Sequence, residues 1–162
     1  AVYAAAAGAG HITNIESLAE ALKLARRNIA LNGFADRDDE YVEGDAFQLL
    51  RQYRAQGRRS DLLILGPPKF AYSQDQVESA CRGYKDINLL AMQILACGGI
   101  LFTFSCSGLV NPDLFQKVLF GASVDAGRDV QVIEKLSQAT DHPILLTFPE
   151  SEYLKGLVCR VF

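Results

Sequence analysis

Strands that alternate with helices predict an α/β fold: a mostly parallel sheet with helices on both faces and an antiparallel hairpin at its C-terminal end. Three observations carry that reading. A short strand near residue 11 is followed by a helix with clear 3.6-residue periodicity and a glycine stop. The unbroken run Leu62-Leu63-Ile64-Leu65 is too short for a buried helix and suits a strand covered on both faces. Residues 100–104 repeat that pattern after Gly98-Gly99.

In chain order, AVYAAAAGAG reads as a helix already under way over residues 1–8, so residues are expected upstream of Ala1. Residues 11–15 form a strand. Ser17-Leu18-Ala19-Glu20 has the form of a capping box, with Leu18, Leu22, Ala25 and Ile29 at helical spacing until Asn32-Gly33 ends the helix. A second strand at 40–43 leads into Gly44-Asp45. Asp45 suits the cap of a helix over 46–56, with Gln48 at N3 and Gly57 beyond its end. The strand at 61–65 runs into the loop Gly66-Pro67-Pro68-Lys69-Phe70. A helix is expected from about 73 to 96, with Gly83 as an interruption and Gly98-Gly99 as the stop. The strand at 100–104 ends in Ser105-Cys106-Ser107-Gly108. Asn111-Pro112 places a cap residue before a proline at N1, and Gly127 closes that helix. Strands near 129–135, 144–148 and 157–162 finish the chain, the last two as the hairpin. No repeat or linker divides 1–162, which reads as a single domain.

Composition narrows the partners. The 162 residues are 49% apolar and 22% charged, as in globular domains. With 16 Lys and Arg against 19 Asp and Glu, net charge −3, no domain-wide positive field is available, and any grip on nucleic acid is local. Cys81, Cys97, Cys106 and Cys159 form no C-x-x-C pair and have no His at zinc-finger spacing, so no metal site is expected. Free thiols fit a reducing, cytoplasmic setting. No apolar run approaches the roughly 20 residues of a membrane helix.

In a parallel α/β sheet, ligands bind beyond the carboxyl ends of the strands. Glu16 stands there, and its carboxylate suits both hydroxyls of a ribose, in a dinucleotide or in S-adenosylmethionine alike. The competing reading is an ordinary exposed glutamate. Asp45 suits an adenine amino group, with Ala46 and Phe47 flanking the ring, and equally suits a helix cap; the two roles are compatible. Pro67 and Pro68 fix an extended turn. Phe70 offers either a face for a flipped base or a core side chain, and Lys69 either a phosphate contact or a solvated charge. Cys106 ends a buried strand in a tight turn, as a nucleophile or as a small packing residue. Cys81, Cys97 and Cys159 read as packing, and His142 in Asp-His-Pro as structural. Arg82, Tyr84, Lys85 and Asn88 share part of one helix face, which serves packing or substrate.

Taken together the motifs become specific. NIES at 14–17, LNGF at 31–34, EGDAF at 43–47, GPPKF at 66–70, RGYKDIN at 82–88, TFSCSG at 103–108, NPDLFQ at 111–116, DHP at 141–143 and FPESEYLKG at 148–156 occur in order along the whole chain. In this the chain closely resembles the methyltransferase domain of the bacterial large-subunit ribosomal RNA cytosine-C5 methyltransferases. The resemblance implies a class I, Rossmann-like sheet and S-adenosylmethionine as cofactor, with Glu16 at its ribose and Asp45 and Ala46 at its adenine. It further implies that Pro67, Pro68, Lys69 and Phe70 receive the target cytosine of ribosomal RNA, and that Cys106 attacks it.

Two departures accompany the resemblance. The family carries aspartate ahead of the two prolines, where it polarises the base, and this chain has Gly66. The family's first strand, its glycine-rich cofactor loop and its amino-terminal RNA-binding region are expected upstream of Ala1. Without that strand the sheet has two edges lacking partners, which favour association, for example as a homodimer. The departures motivate an alternative, a noncatalytic relic or binding module with the fold but without cofactor. A third reading is methylation at an exocyclic amine, which also uses a proline-proline-aromatic loop and leaves Cys106 dispensable.

Overall fold

The structure, a computed structural model, describes residues 1–162, in two units, Ala1–Leu49 and Leu50–Phe162. In the first, helix α1 (Val2–Ala6) ends before Gly8, whose φ of 87° suits only glycine. Strand β1 (Thr13–Glu16) pairs in parallel with β2 (Glu40–Glu43), and α2 (Ala19–Leu31) connects them. Asn32 caps α2 and Gly33, at φ 83°, turns the chain away, as its sequence requires.

Two expectations about this unit need correction. The capping box does not form: Leu18 occupies the N-cap without a side-chain bond, because the Glu16 carboxylate takes the Ser17 amide at 2.8 Å and the Ser17 hydroxyl at 3.2 Å. Leu18, expected among the apolar positions of α2, is exposed. β1 also begins two residues late, since the Ile12 amide donates to the Asp39 carboxylate at 3.0 Å. Arg37 grips the same carboxylate at 2.9 Å and, with Ile12, holds its pKa below the usual aspartate range.

Helix α3 (Ala46–Ala55) continues the chain from the first unit into the second. The second unit has a four-stranded sheet in the order β3-β4-β6-β5, from β3 (Ser60–Leu65), β4 (Leu95–Ser105), β5 (Val130–Leu136) and β6 (Lys155–Val161). β3 and β4 are parallel; β6 runs antiparallel to both β4 and β5. Helices α4 (Val77–Ile94) and α5 (Pro112–Ala126) pack on each other. Asn111 caps α5 through the Leu114 amide at 2.8 Å, Pro112 occupies its first turn, and Gly127 closes it at φ 64°. Arg128 then crosses to the end of α4, donating to the carbonyl of Met92 in its last turn and to those of Leu95 and Ala96 just beyond it. The core centres on Tyr84, Met92, Leu101, Phe115 and Val161, all of them buried. No helix is long and apolar enough to cross a membrane.

Here too several details differ from the sequence reading. β3 is covered on one face only: Leu65 is buried, whereas Leu62 and Ile64, which point the other way, are 49% and 60% exposed. Gly83 does not interrupt α4. Its missing side chain admits the Phe70 ring, whose atoms would lie 3.4 Å from a Cβ there. Gly98-Gly99 lie inside β4, where a register shift between Ser60 and Leu62 turns Cys97 and Gly98 outward and leaves Cys97 exposed instead of packed. Residues 144–148 form no strand. Between Pro143 and Pro149 the Phe148 amide closes onto Leu145 and the Leu145 amide onto Ser151, a self-satisfied turn, so the hairpin is β5–β6.

Candidate active site

Each unit presents paired strand ends. In the first, Glu16 lies opposite Glu43 in the β1–β2 register, and the Gly44 amide donates to the Glu16 carbonyl at 3.0 Å. Glu16 and Asp45 therefore stand at adjacent carboxyl ends, as sequence spacing suggests. Each carboxylate commits one oxygen locally: Glu16 to Ser17, and Asp45 to the Gln48 amide at 2.9 Å, which caps α3. The second oxygen of each carries no such bond. Two acceptors with Ala46 beside them suit hydroxyl and amino donors of a nucleoside.

In the second unit, β3 and β4 end side by side, with Leu65 opposite Thr103. The diproline loop and the Ser105-Cys106-Ser107 turn consequently meet. The Cys106 thiol lies 4.0 Å from the Pro67 carbonyl and is half-buried. Pro68 and Lys69 are exposed, the Lys69 ammonium 5.1 Å above the Tyr72 ring. A cleft of about 750 Å³ opens here, lined by Lys69, Cys106, Leu109, Glu150, Glu152 and Tyr153. Phe70 is half-buried and inclined on Tyr84, ring centroids 4.6 Å apart, with Gly83 beneath it.

The residue that organises the turn is Ser107, to which sequence reasoning gave no role. Its buried hydroxyl accepts from the amides of Phe70 at 3.2 Å and Ala71 at 3.3 Å and pairs with the Tyr84 hydroxyl at 3.0 Å. One side chain thus locks the diproline loop, α4 and the cysteine turn together. Lys155 was also missed. It is buried, and its ammonium donates to the Ser107 carbonyl at 2.5 Å and to the Tyr153 carbonyl at 2.9 Å. A lone lysine opening the apolar run Leu157-Val158-Cys159 was the available signal. The expected polar face of α4 divides: Tyr84 and Asn88 are buried, while Arg82 pairs with Glu78 and Lys85 with Asp125. Cys159 packs as expected, its pKa pushed up to about 11 by burial. His142 is exposed beside Asp141 and supports no core.

The strand ends of the first unit present carboxylate acceptors, and those of the second present a thiol. Among solved structures, a putative methyltransferase complexed with SAH, SMU.776, superposes at TM-score 0.84 over 98% of this chain and 41% of that one, at 19% identity. The fold is a Rossmann-like methyltransferase fold. Over 161 residues, 99% of the chain, it is 57% identical to a Shewanella amazonensis protein named ribosomal RNA large subunit methyltransferase I. It is 52% identical to the Klebsiella pneumoniae protein of the same name. The chain spans about two fifths of these curated relatives, 41% and 40% of their lengths. No protein-family model matches it. Within the methyltransferase fold, Glu16, Asp45, the diproline loop and Cys106 all stand at carboxyl ends of parallel strands.

Proposed function

We propose that the chain is the catalytic domain of an S-adenosylmethionine-dependent methyltransferase of large-subunit ribosomal RNA, acting at carbon 5 of a cytosine through a Cys106 adduct. The single observation that carries the reading is the Cys106 thiol 4.0 Å from the Pro67 carbonyl at the paired ends of β3 and β4. The names of the relatives support ribosomal RNA as substrate. The open oxygens of Glu16 and Asp45 fit the ribose hydroxyls and adenine amino group of the cofactor, which when bound supplies an electrophilic methyl group.

The chain's own residues do the rest. Carbon 5 of cytosine is a weak nucleophile. Addition of the Cys106 thiolate to carbon 6 converts the ring to an enamine and makes carbon 5 strongly nucleophilic. Once carbon 5 carries the new methyl group, a base removes its proton, the carbon 5–carbon 6 double bond re-forms and the thiolate departs. Ser107 holds the receiving loop at fixed distance from the thiol, so little reorganisation accompanies the reaction.

The test is incubation with S-adenosylmethionine and ribosomal RNA fragments that contain 5-fluorocytosine. Fluorine at carbon 5 cannot leave as a proton, so a covalent adduct is expected, lost in Cys106→Ala. Methylated product from Cys106→Ala would replace the mechanism by direct methylation at an exocyclic amine. Gly66 favours a second reading, a binding module without catalysis, because no carboxylate precedes Pro67. Calorimetric titration with S-adenosylhomocysteine discriminates: micromolar binding refutes the module without cofactor, and no heat with a folded chain supports it. A Cβ at Gly66 meets nothing within 4 Å, so Gly66→Asp is accommodated and is expected to raise adduct yield.

A further inference from the structure

Lys155 is the one buried charge in the second unit whose partners are all neutral. It is 8% exposed, and its ammonium makes two hydrogen bonds, both to backbone carbonyls, and no ion pair. Burying an ammonium is costly unless an anion compensates it. Its place is firmly held. Lys155 lies opposite Ser105 in the β4–β6 register, and the next residue must be glycine, because a Cβ at Gly156 would sit 2.6 Å from the Phe104 ring. The ammonium is thereby aimed at the Ser105-Cys106-Ser107 turn, bonded one residue beyond the thiol.

We propose that Lys155 is a positioning residue for Cys106: it ties down the turn through the Ser107 carbonyl, and its charge favours the thiolate. This rests on Cys106 as the nucleophile of the proposed reaction. Burial pushes the ammonium below the ordinary lysine range, and negative charge on Cys106 pushes it back. The other charged groups facing the site are Lys69, Glu150 and Glu152 on the cleft wall and Lys135 on β5, with the neutral phenol of Tyr153 beside them. Lys69 is exposed and screened, and the glutamates oppose a thiolate, so the buried ammonium is the favourable field at the sulfur.

The experiment is iodoacetamide alkylation of the chain across a pH series, followed by peptide mass spectrometry, with exposed Cys97 as internal reference. In Lys155→Met the Cys106 rate at neutral pH is expected to fall about tenfold, the effect of one unit in thiolate titration, and to recover at high pH. Cys97 is unchanged. Lys155→Arg retains most of the rate, and Lys117→Met, an exposed lysine of α5 paired with Asp113, changes it by less than about twofold, as expected for a screened charge. Superimposable Cys106 profiles for wild type and Lys155→Met would overturn the proposal. Should Lys155→Met lose its melting transition, Lys155→Gln decides, since it keeps a donor for the Ser107 carbonyl without the charge: a Cys106 rate at neutral pH equal to that of the wild type sinks the idea. A positive alkylation result with no fluorocytosine adduct would reject the nucleophile reading while leaving this coupling intact.

Discussion

Ala1–Leu49 and Leu50–Phe162 carry their candidate residues on scaffolds of different depth. In the first, Ala5, Leu22 and Ile29 are buried, both strands remain half-open, and Leu18, Leu24 and Leu31 face solvent. The second encloses a continuous core from Leu50 through Tyr84, Leu101 and Phe115 to Val161. Preorganisation follows that core. Cys106 stands in a turn fastened by Ser107, Tyr84 and Lys155, whereas Glu16 and Asp45 depend on bonds to their immediate sequence neighbours. In the proposed reaction the covalent step, which is intolerant of misplacement, falls on the more deeply packed scaffold, and ligand capture on the shallower one.

The sharpest way to break this contrast is at the thiol. Cys106→Ala is expected to lower methyl transfer to ribosomal RNA by at least about 10³-fold, measured as initial rate, with the melting temperature unchanged. Phe115→Ala opens the core under Tyr84, whose ring it meets edge-on at 5.6 Å. It should cost about 3–5 kcal/mol in denaturant unfolding. Glu16→Ala should weaken S-adenosylhomocysteine binding about 10- to 100-fold by calorimetry, the worth of hydrogen bonds to a charged acceptor, and leave Cys106 alkylation unaltered. Asn111→Ala removes the α5 cap and is expected to cost about 1 kcal/mol in chemical denaturation.

The smallest effect separates the units by pH. Asp39 is held below the ordinary aspartate range by Arg37 and the Ile12 amide. Its contribution to stability is therefore complete above the unfolded value of about 4 and lost as pH falls through the lower folded value. Hydrogen exchange in moderate acid should lose protection in the first unit before the second, and Asp39→Asn should abolish that difference in acid sensitivity.

Local chemistry was readable wherever one residue and its near neighbours decide the outcome. The Asn111-Pro112 start and Gly127 end of α5, the Asp45 cap, the Gly33 stop and β2 at 40–43 depend on spans of a few residues, and all appear as expected. So did the meeting of the diproline loop with Cys106, because parallel strands joined through a helix must bring their carboxyl ends together. Long-range competition decided the remainder. Ser17 was taken by Glu16 instead of capping α2, and Gly83 accommodated Phe70 instead of breaking α4. Cys97 turned outward at a register shift that no periodicity records, and residues 144–148 folded onto themselves between prolines. Ser107 and Lys155 lay furthest from legibility. Apart from the Tyr153 carbonyl, the partners of their side chains are 23 to 48 residues distant, and a buried hydroxyl or ammonium has meaning only once the fold has removed its water.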